Sequence, residues 1–231
     1  MLDFPASTLF NRRIPKKKFY EKLSVNNILE RQFAKEIDAI YWRNKLSPET
    51  LNISSGTDVA EIEIFEITLK AQGISKNIIE TIDREIPYHL VFILRYQDLG
   101  QIWISFKEES KNREGKYKVD SYYQTGWMKY NDLSLKIEGL NLNRIYENFI
   151  LQISGGKLQL EYGSDIKEAI SKVKEQEKLE AYIVNLETKI RNEKQFNQQV
   201  KLMAELRKAK VQQENGLNGG RKDGEAENGE Y

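Results

Sequence analysis

The sequence predicts an α+β fold, with a mainly antiparallel sheet, flanking helices and a long C-terminal helical, coiled-coil-like segment. Three observations predict it. Between residues 59 and 123, short runs rich in Ile, Val, Phe and Tyr alternate with polar residues at the period of a strand. In other segments, apolar residues recur every three or four positions, which is the period of a helix. Residues 166–211 contain neither Pro nor Gly, so nothing in their composition interrupts a helix.

The elements of the first part follow in order. Residues 19–42 have helical spacing and predict one helix that ends near Asn44. Residues 59–70 predict a central strand, because their apolar residues change face partway, as in a bulged strand or one covered on both sides. A second helix is expected around residues 75–85 and a third near 143–153. The strands 87–96, 101–106 and 116–123 are expected to form an antiparallel meander.

These elements predict a head domain over residues 1–162, a helical arm over 164–211 and a disordered tail over 212–231. The arm carries an apolar stripe whose first steps of four, three and four positions fit a heptad seam. The seam slips near Glu193, which indicates either a stammer in one long helix or a bend that makes a hairpin. The absence of Gly and Pro favours one continuous helix. We expect the stripe to pack on the head, on a partner or on a second copy; its residues are Leu179, Ile183, Leu186, Ile190, Phe196, Val200 and Met203.

Composition excludes several kinds of site. The chain of 231 residues has no Cys, which removes disulfides, thiolate metal ligands and cysteine nucleophiles. Its single histidine, His89, rules out a two-histidine zinc site and fits a structural residue better than a catalytic one. Phosphate-binding glycine loops are absent. We therefore expect no metal and no cofactor. The longest apolar run of the chain, residues 90–94, is too short to span a membrane. We therefore expect a cytoplasmic protein without a membrane span.

Five cations stand close together near the N-terminus, and they predict contact with nucleic acid. Such a cluster neutralises phosphates and gives affinity without reading sequence. Phe19 and Tyr20 follow directly and could stack on a base. The alternative is a solvated basic arm that pairs with acidic residues of the head. The five residues are Arg12, Arg13, Lys16, Lys17 and Lys18.

The strand at residues 59–70 also invites comparison with restriction-type nucleases. These enzymes place an acid two residues before a lysine on one strand face, so that metal and attacking water share a site. Here Lys70 shares its face with Thr68 and Glu66, so a threonine stands where the acid belongs. Asp58 could supply a first ligand and Glu66 could replace the missing acid. The alternative is an exposed strand end in which Glu66 and Lys70 nearly pair.

Six stretches of the chain are informative when taken together: residues 11–20 (NRRIPKKKFY), 41–48 (YWRNKLSP), 83–89 (DREIPYH), 138–142 (EGLNL), 146–149 (YENF) and 193–197 (EKQFN). They resemble a bacterial family known as domain of unknown function 4391. The resemblance covers nearly everything except the tail, and none of its stretches is a mechanistic motif. It implies a genomic context, because such proteins tend to be encoded beside restriction-type DNA methyltransferases and helicases in antiviral defence regions.

Together these observations favour binding over catalysis. We expect a non-catalytic accessory or scaffold protein of a bacterial DNA defence or restriction-modification system. Its arm would dock a helicase or DNA methyltransferase of the same operon, or form a homodimer, and its basic arm would touch DNA. The alternative is a metal-dependent nuclease-like domain with a degenerate active site built from Asp58, Glu66 and Lys70.

Overall fold

A computed structural model describes residues 2, 4–22, 27–109, 117–160 and 165–219. The chain divides into two compact units, Met1–Lys157 and Leu158–Tyr231, and each is described here by itself. We call the first unit the head and the second the helical unit. Within the described residues, no helix has both the length and the apolar character needed to cross a membrane.

The head is built on one mixed sheet, and the α+β fold predicted from the sequence is confirmed. Strands β1 to β6 lie side by side in chain order, and a short β7 pairs with β5. Neighbouring strands are antiparallel except β3 and β4, which are parallel. The strands are β1 (Leu9–Ile14), β2 (Ile37–Leu46), β3 (Ile62–Leu69), β4 (His89–Tyr96), β5 (Leu99–Glu109), β6 (Tyr117–Gln124) and β7 (Met128–Lys129).

The strand order explains two features that the sequence predicted. Strand β3 lies in the interior of the sheet and is buried along almost its whole length, as its change of apolar face indicated. The meander of β4, β5 and β6 is antiparallel, also as predicted. A parallel pair needs a crossover, and helix α4 (Lys76–Glu85) supplies it between β3 and β4.

Helices cover both faces of this sheet. On one face, Phe65 and Phe92 pack in a core with Phe33 and with Ile78, Ile79 and Ile82 of α4. Alternate residues of β3 and β4 point to the opposite face, where Tyr146 contacts the ring of His89. The helices of the head are α1 (Lys17–Lys22), α2 (Asn27–Glu36), α3 (Pro48–Leu51), α4 and α5 (Leu142–Ser154).

The predicted helix over residues 19–42 was wrong from Ile37 onward. Helix α2 ends at Glu36, and Ile37–Leu46 forms β2. Ile37 and Ile40 are three positions apart, which fits a helix, but both are fully buried in the core of the sheet. Pairing with β3 and burial of β-branched and aromatic side chains make this segment a strand rather than a helix. The spacing of apolar residues within one segment carries no information about pairing with a distant strand.

The helical unit is a hairpin of two helices, α6 (Ile166–Asn192) and α7 (Phe196–Gly219), so the prediction of one continuous helix was wrong. Asp165 caps α6, its side chain accepting a hydrogen bond from the Glu168 N–H at 2.9 Å. Helix α7 continues past residue 211, where the arm was predicted to end. The remainder of the predicted tail, residues 220–231, lies outside the described residues.

Side chains rather than a glycine make the turn of the hairpin. Glu193 is extended, with φ −76° and ψ 129°, and its carboxylate accepts a hydrogen bond from the Gln195 N–H at 2.8 Å. The Gln199 amide donates to the carbonyl of Ile190 at 3.2 Å and to that of Glu193 at 3.3 Å. These bonds satisfy carbonyls that the end of α6 leaves without a helical partner. A turn of this kind needs neither Gly nor Pro.

Candidate functional site

The predicted apolar stripe is divided between two environments in the hairpin. Its first part forms the interior, where Ile183 and Leu186 are buried against Ala209 of α7. Leu179 packs on the same cluster together with Leu202 and Leu206. Three of the seven predicted partner-binding residues therefore hold α6 and α7 together. A Lys210–Glu187 ion pair of 2.8 Å adds a polar link between the helices.

The second part of the stripe is exposed on α7. The exposed fractions are 75% for Phe196, 49% for Val200, 51% for Met203 and 49% for Val211. Steps of four, three and eight positions place these four side chains on one side of the helix. We call them the α7 row. Ile190, the remaining predicted residue, is half-buried near the end of α6.

The predicted basic residues lie along the edge of the sheet and on α1. Arg12 and Arg13 are exposed on the edge strand β1, and Lys17 and Lys18 are exposed on α1. Lys16 is half-buried, and its ammonium donates to the Ile37 carbonyl at 2.8 Å.

A sixth cation, Lys70, belongs to the same surface. Burial lowers the pKa of Lys16, repulsion from Lys70 and Arg13 lowers it further, and Asp38 acts in the opposite direction. Lys70 itself is exposed and its Nζ donates to the Ala34 carbonyl at 2.7 Å. Sequence reasoning missed this neighbour because more than fifty positions separate it from Lys16. We call these six cations the basic surface.

The aromatic residues predicted to stack on a base lie elsewhere. Phe19 is 8% exposed and packs against Phe33 in the core, with ring centroids 6.3 Å apart. It cannot stack on a base without leaving that core. The side chain of Tyr20 lies outside the described residues. Beside the arginines, the exposed ring is instead Phe10, which lies 4.9 Å from the Arg12 guanidinium.

Glu66 is the centre of a polar cluster within the sheet. Glu66 is 2% exposed, and its two carboxylate oxygens accept hydrogen bonds from Nε and Nη2 of Arg43 at 3.1 and 2.9 Å. The Tyr130 hydroxyl donates to the same carboxylate at 2.6 Å. The hydrogen bond to Glu66 is the main cause that raises the pKa of Arg43. Burial, followed by the bond to Glu66, raises the pKa of Tyr130 to about 12.

A cavity of about 380 Å³ opens beside this cluster, and we call it the Glu66 cavity. Arg95 lines the cavity, and its guanidinium lies 4.6 Å from the centre of the Tyr130 ring. Most of the remaining lining is apolar. Its lining includes Arg43, Glu66, Arg95, Tyr130, Leu9 and Ile93.

The three residues of the nuclease comparison have separate partners. Glu66 is bonded to Arg43 and Tyr130, not to Lys70 as the alternative of a near-pair expected. Lys70 bonds the Ala34 carbonyl, and the Asp58 carboxylate accepts from the Asn143 amide at 3.3 Å. Among the described residues, no group of three His, Asp or Glu side chains is arranged to hold a metal ion.

His89 lies in an aromatic setting. Its imidazole is 2% exposed and contacts the rings of Tyr117 and Tyr146 edge-on, with centroids 4.9 and 4.4 Å away. Burial, with repulsion from Lys107 as a second cause, lowers the pKa of His89 to about 3. The imidazole is therefore neutral at physiological pH.

Comparison with known proteins places this chain in a family. Residues 2–212 match the model of the family described as "Domain of unknown function (DUF4391)". The chain belongs to this family. The match includes the whole sheet, the hairpin turn and most of α7, so the basic surface and all four residues of the α7 row lie within the family's extent. No curated protein and no solved structure matches the chain.

Proposed function

We propose that this member of the DUF4391 family is a non-catalytic accessory protein of a bacterial DNA defence or restriction-modification assembly. In this proposal, the α7 row docks a helicase or DNA methyltransferase encoded in the same operon, and the basic surface contacts DNA. One observation carries the proposal. The α7 row places an exposed phenylalanine, methionine and two valines along one side of a single helix. Phe196, Val200 and Met203 are neighbours in this row, and adjacent exposed apolar side chains of this kind are typical of interaction surfaces.

The spacing of the α7 row matches that of helices that bind in the groove of a partner. Anchors at positions i, i+4 and i+7 are the pattern by which an amphipathic helix lays its apolar side into a hydrophobic groove. Phe196, Val200 and Met203 have this spacing. Arg207 follows four positions after Met203 on the same side of the helix, before Val211. The fitting partner surface is therefore an apolar groove with a carboxylate towards one end.

The contact with DNA is supported by the composition of the basic surface. Arg12, Arg13, Lys17 and Lys18 are exposed, and Lys70 adds a further cation just after the end of β3. Lys70 and Arg13 both repel the Lys16 ammonium. A cation that neutralises a phosphate releases the counterion bound there, and this release favours binding. Contacts to phosphates carry no sequence information, so the proposed binding is independent of sequence.

The docking proposal is tested by co-purification from the native operon. A tagged chain should retain its helicase or methyltransferase, and the double substitution Phe196→Gln with Met203→Gln should abolish this retention. Glutamine is a good helix former, so α7 should keep its helical content. Val184→Gln is the matched control, because Val184 is 61% exposed on α6 and lies outside the α7 row. Retention of the partner by the double variant would overturn the proposal.

The mass of the purified chain in solution distinguishes a second copy from a different protein as the partner of the α7 row. If light scattering shows a dimer that the double variant converts to a monomer, the row joins two copies, and the proposed helicase or methyltransferase contact is wrong. If the chain is a monomer and only the double variant fails to retain the partner, the proposal stands.

The DNA contact is tested by the salt dependence of binding to a short duplex. Replacing Arg12 and Arg13 with Gln should weaken binding and lower the slope of log K against log salt by about one for each phosphate that is no longer neutralised. The matched control replaces Lys118 and Lys136, two exposed cations elsewhere on the head, with Gln. Equal slopes for the two double variants would contradict the DNA contact.

A further inference from the structure

The Glu66 cavity is built by irregular backbone in two adjacent strands. The register of β1 against β2 shifts between Leu9 and Arg12, and Asn11 within this bulge has φ of +45°. The register of β2 against β3 shifts between Trp42 and Asn44, so Arg43 is the extra residue. Bulges re-aim side chains, and positive φ at a non-glycine residue is uncommon. Here both irregularities serve one contact, in which Arg43 Nη1 donates to Asn11 Oδ1 at 2.5 Å.

Glu66 holds the wall of the cavity in a fixed position. A carboxylate that is 2% exposed in the middle of a sheet costs free energy unless it is paired and hydrogen-bonded. The bidentate bond to Arg43 and the bond from Tyr130 offset that cost and orient both side chains. The ring of Tyr130 then lies under the Arg95 guanidinium at 4.6 Å. A chain of contacts from a buried carboxylate therefore sets the position of an exposed cation.

The charges of the site do not balance. Arg43 and Arg95 are two cations, and Glu66 is one carboxylate, so the cavity has a formal charge of +1. Arg43 already uses three of its N–H groups on Glu66 and Asn11. Arg95 is exposed, and among the described residues no carboxylate forms an ion pair with it. Its Nε donates to the Gln97 carbonyl at 3.4 Å, so the terminal N–H groups of this guanidinium are the donors available for an anion.

The rest of the cavity selects the body of the ligand. Leu9 and Ile93 give it an apolar lining, and its volume of about 380 Å³ lies within the range of small-molecule sites. We propose that the Glu66 cavity binds a small organic anion, with its acidic group on Arg95 and its apolar body against Leu9 and Ile93. This site is independent of the α7 row and the basic surface, so its test does not depend on the proposed function.

The test uses matched probes on the full chain. Naphthalene-2-sulfonate is an anion with an apolar body, and naphthalene-2-sulfonamide is its neutral counterpart. Calorimetry should show one saturable site for the sulfonate and binding at least about tenfold weaker for the sulfonamide, because the neutral group cannot make the charge-assisted hydrogen bond. Equal affinity for the two probes, or no saturable sulfonate binding in the millimolar range, would overturn the proposal.

Two variants locate the binding. Arg95→Gln should weaken sulfonate binding at least about tenfold and leave sulfonamide binding unchanged. Leu9→Trp should block both probes, because Leu9 lines the cavity yet is 62% exposed, so the larger ring can fill the cavity without disturbing the core. Lys118→Gln, which removes an exposed cation outside the cavity, is the control and should change neither probe. Sulfonate binding that survives both Arg95→Gln and Leu9→Trp would place the probe elsewhere and overturn the proposal.

Discussion

The head and the helical unit differ in the kind of residue that is costly to place: buried charged groups in the head, and exposed apolar side chains in the helical unit. In the head, charged groups such as Glu66 and Lys107 are buried, and each is paired within the fold, Glu66 with Arg43 and Lys107 with Asp83. In the helical unit, three of the seven residues of the apolar stripe are left exposed on α7. A buried charge can be paired within one chain, whereas an exposed apolar row is covered only by another surface. The head also leaves single apolar side chains exposed, such as Leu140 at 90% and Ile28 at 67%, whereas the exposed apolar side chains of α7 share one side of that helix.

The largest expected effect tests whether the buried charges of the head depend on their partners. Lys107 Nζ lies 2.8 Å from Asp83 Oδ1 and also donates to the carbonyls of Asp83 and Tyr88. Lys107→Met should lower the free energy of unfolding by about 3–5 kcal/mol, because it leaves a buried carboxylate without its cation. Urea denaturation measures this change.

A second substitution separates the effect of pairing from the effect of packing. Adding Asp83→Asn to Lys107→Met removes the uncompensated charge and should restore a large part of the stability. Glu108→Gln, at the neighbouring exposed position of β5, is the control. If Lys107→Met cost no more than this control, the head would not depend on its buried pair.

The next effect compares the two halves of the apolar stripe directly. Leu186 is 1% exposed inside the hairpin, whereas Met203 is 51% exposed in the α7 row. Leu186→Ala should destabilise the hairpin by about 2–5 kcal/mol, because it removes buried apolar surface and leaves a cavity. Met203→Ala should change its stability by no more than about 0.5 kcal/mol. Amide hydrogen exchange in α6 and α7 reports both values; equal effects would remove the distinction between interior and row.

The smallest effect concerns a buried carboxyl of β3. Burial raises the pKa of Glu63 to about 8, although the Trp42 Nε1–H bond of 2.6 Å favours the charged form. The unfolded carboxyl ionises near its ordinary value of about 4.3, so between these two values the folded chain binds a proton that the unfolded chain does not. Stability from this group is therefore full at acid pH, falls as pH rises through this window and levels off above about 8.

Glu63→Gln should remove that dependence. We expect the variant to gain about 1–2 kcal/mol of stability relative to the natural chain between about pH 5 and pH 8, a value reduced for solvent screening. Thermal unfolding across this range measures the gain, with Glu108→Gln as the control. A gain that does not grow with pH would show that Glu63 ionises normally.

The fold was predictable where local pattern and tertiary contacts agree. Strand β3, helix α4 and the meander of β4 to β6 have periodicities that match their burial. The strand at Ile37–Leu46 was missed because its pairing with β3 lies far along the chain. The turn after Asn192 was missed because glutamine and glutamate side chains make it, without Gly or Pro.

The candidate sites were predictable to a smaller extent. The residues of the basic surface were recognised from their clustering, but Lys70 joins them only through the fold. The stripe of the arm was recognised from its spacing, but spacing does not tell which residues face a neighbouring helix and which face outward. No sequence pattern predicted the Glu66 cavity, because its residues come from four strands and meet through two bulges. These residues are Asn11, Arg43, Glu66 and Arg95.

We propose that the exposed side of α7, and not the stripe as a whole, contacts the partner. The most direct measurement places a photo-crosslinking phenylalanine analogue at Met203 or, as a control, at Val184 in the natural host. We expect position 203 to cross-link to the helicase or methyltransferase of the operon and position 184 not to do so. Equal cross-linking at both positions, or cross-linking to that partner only from position 184, would contradict it.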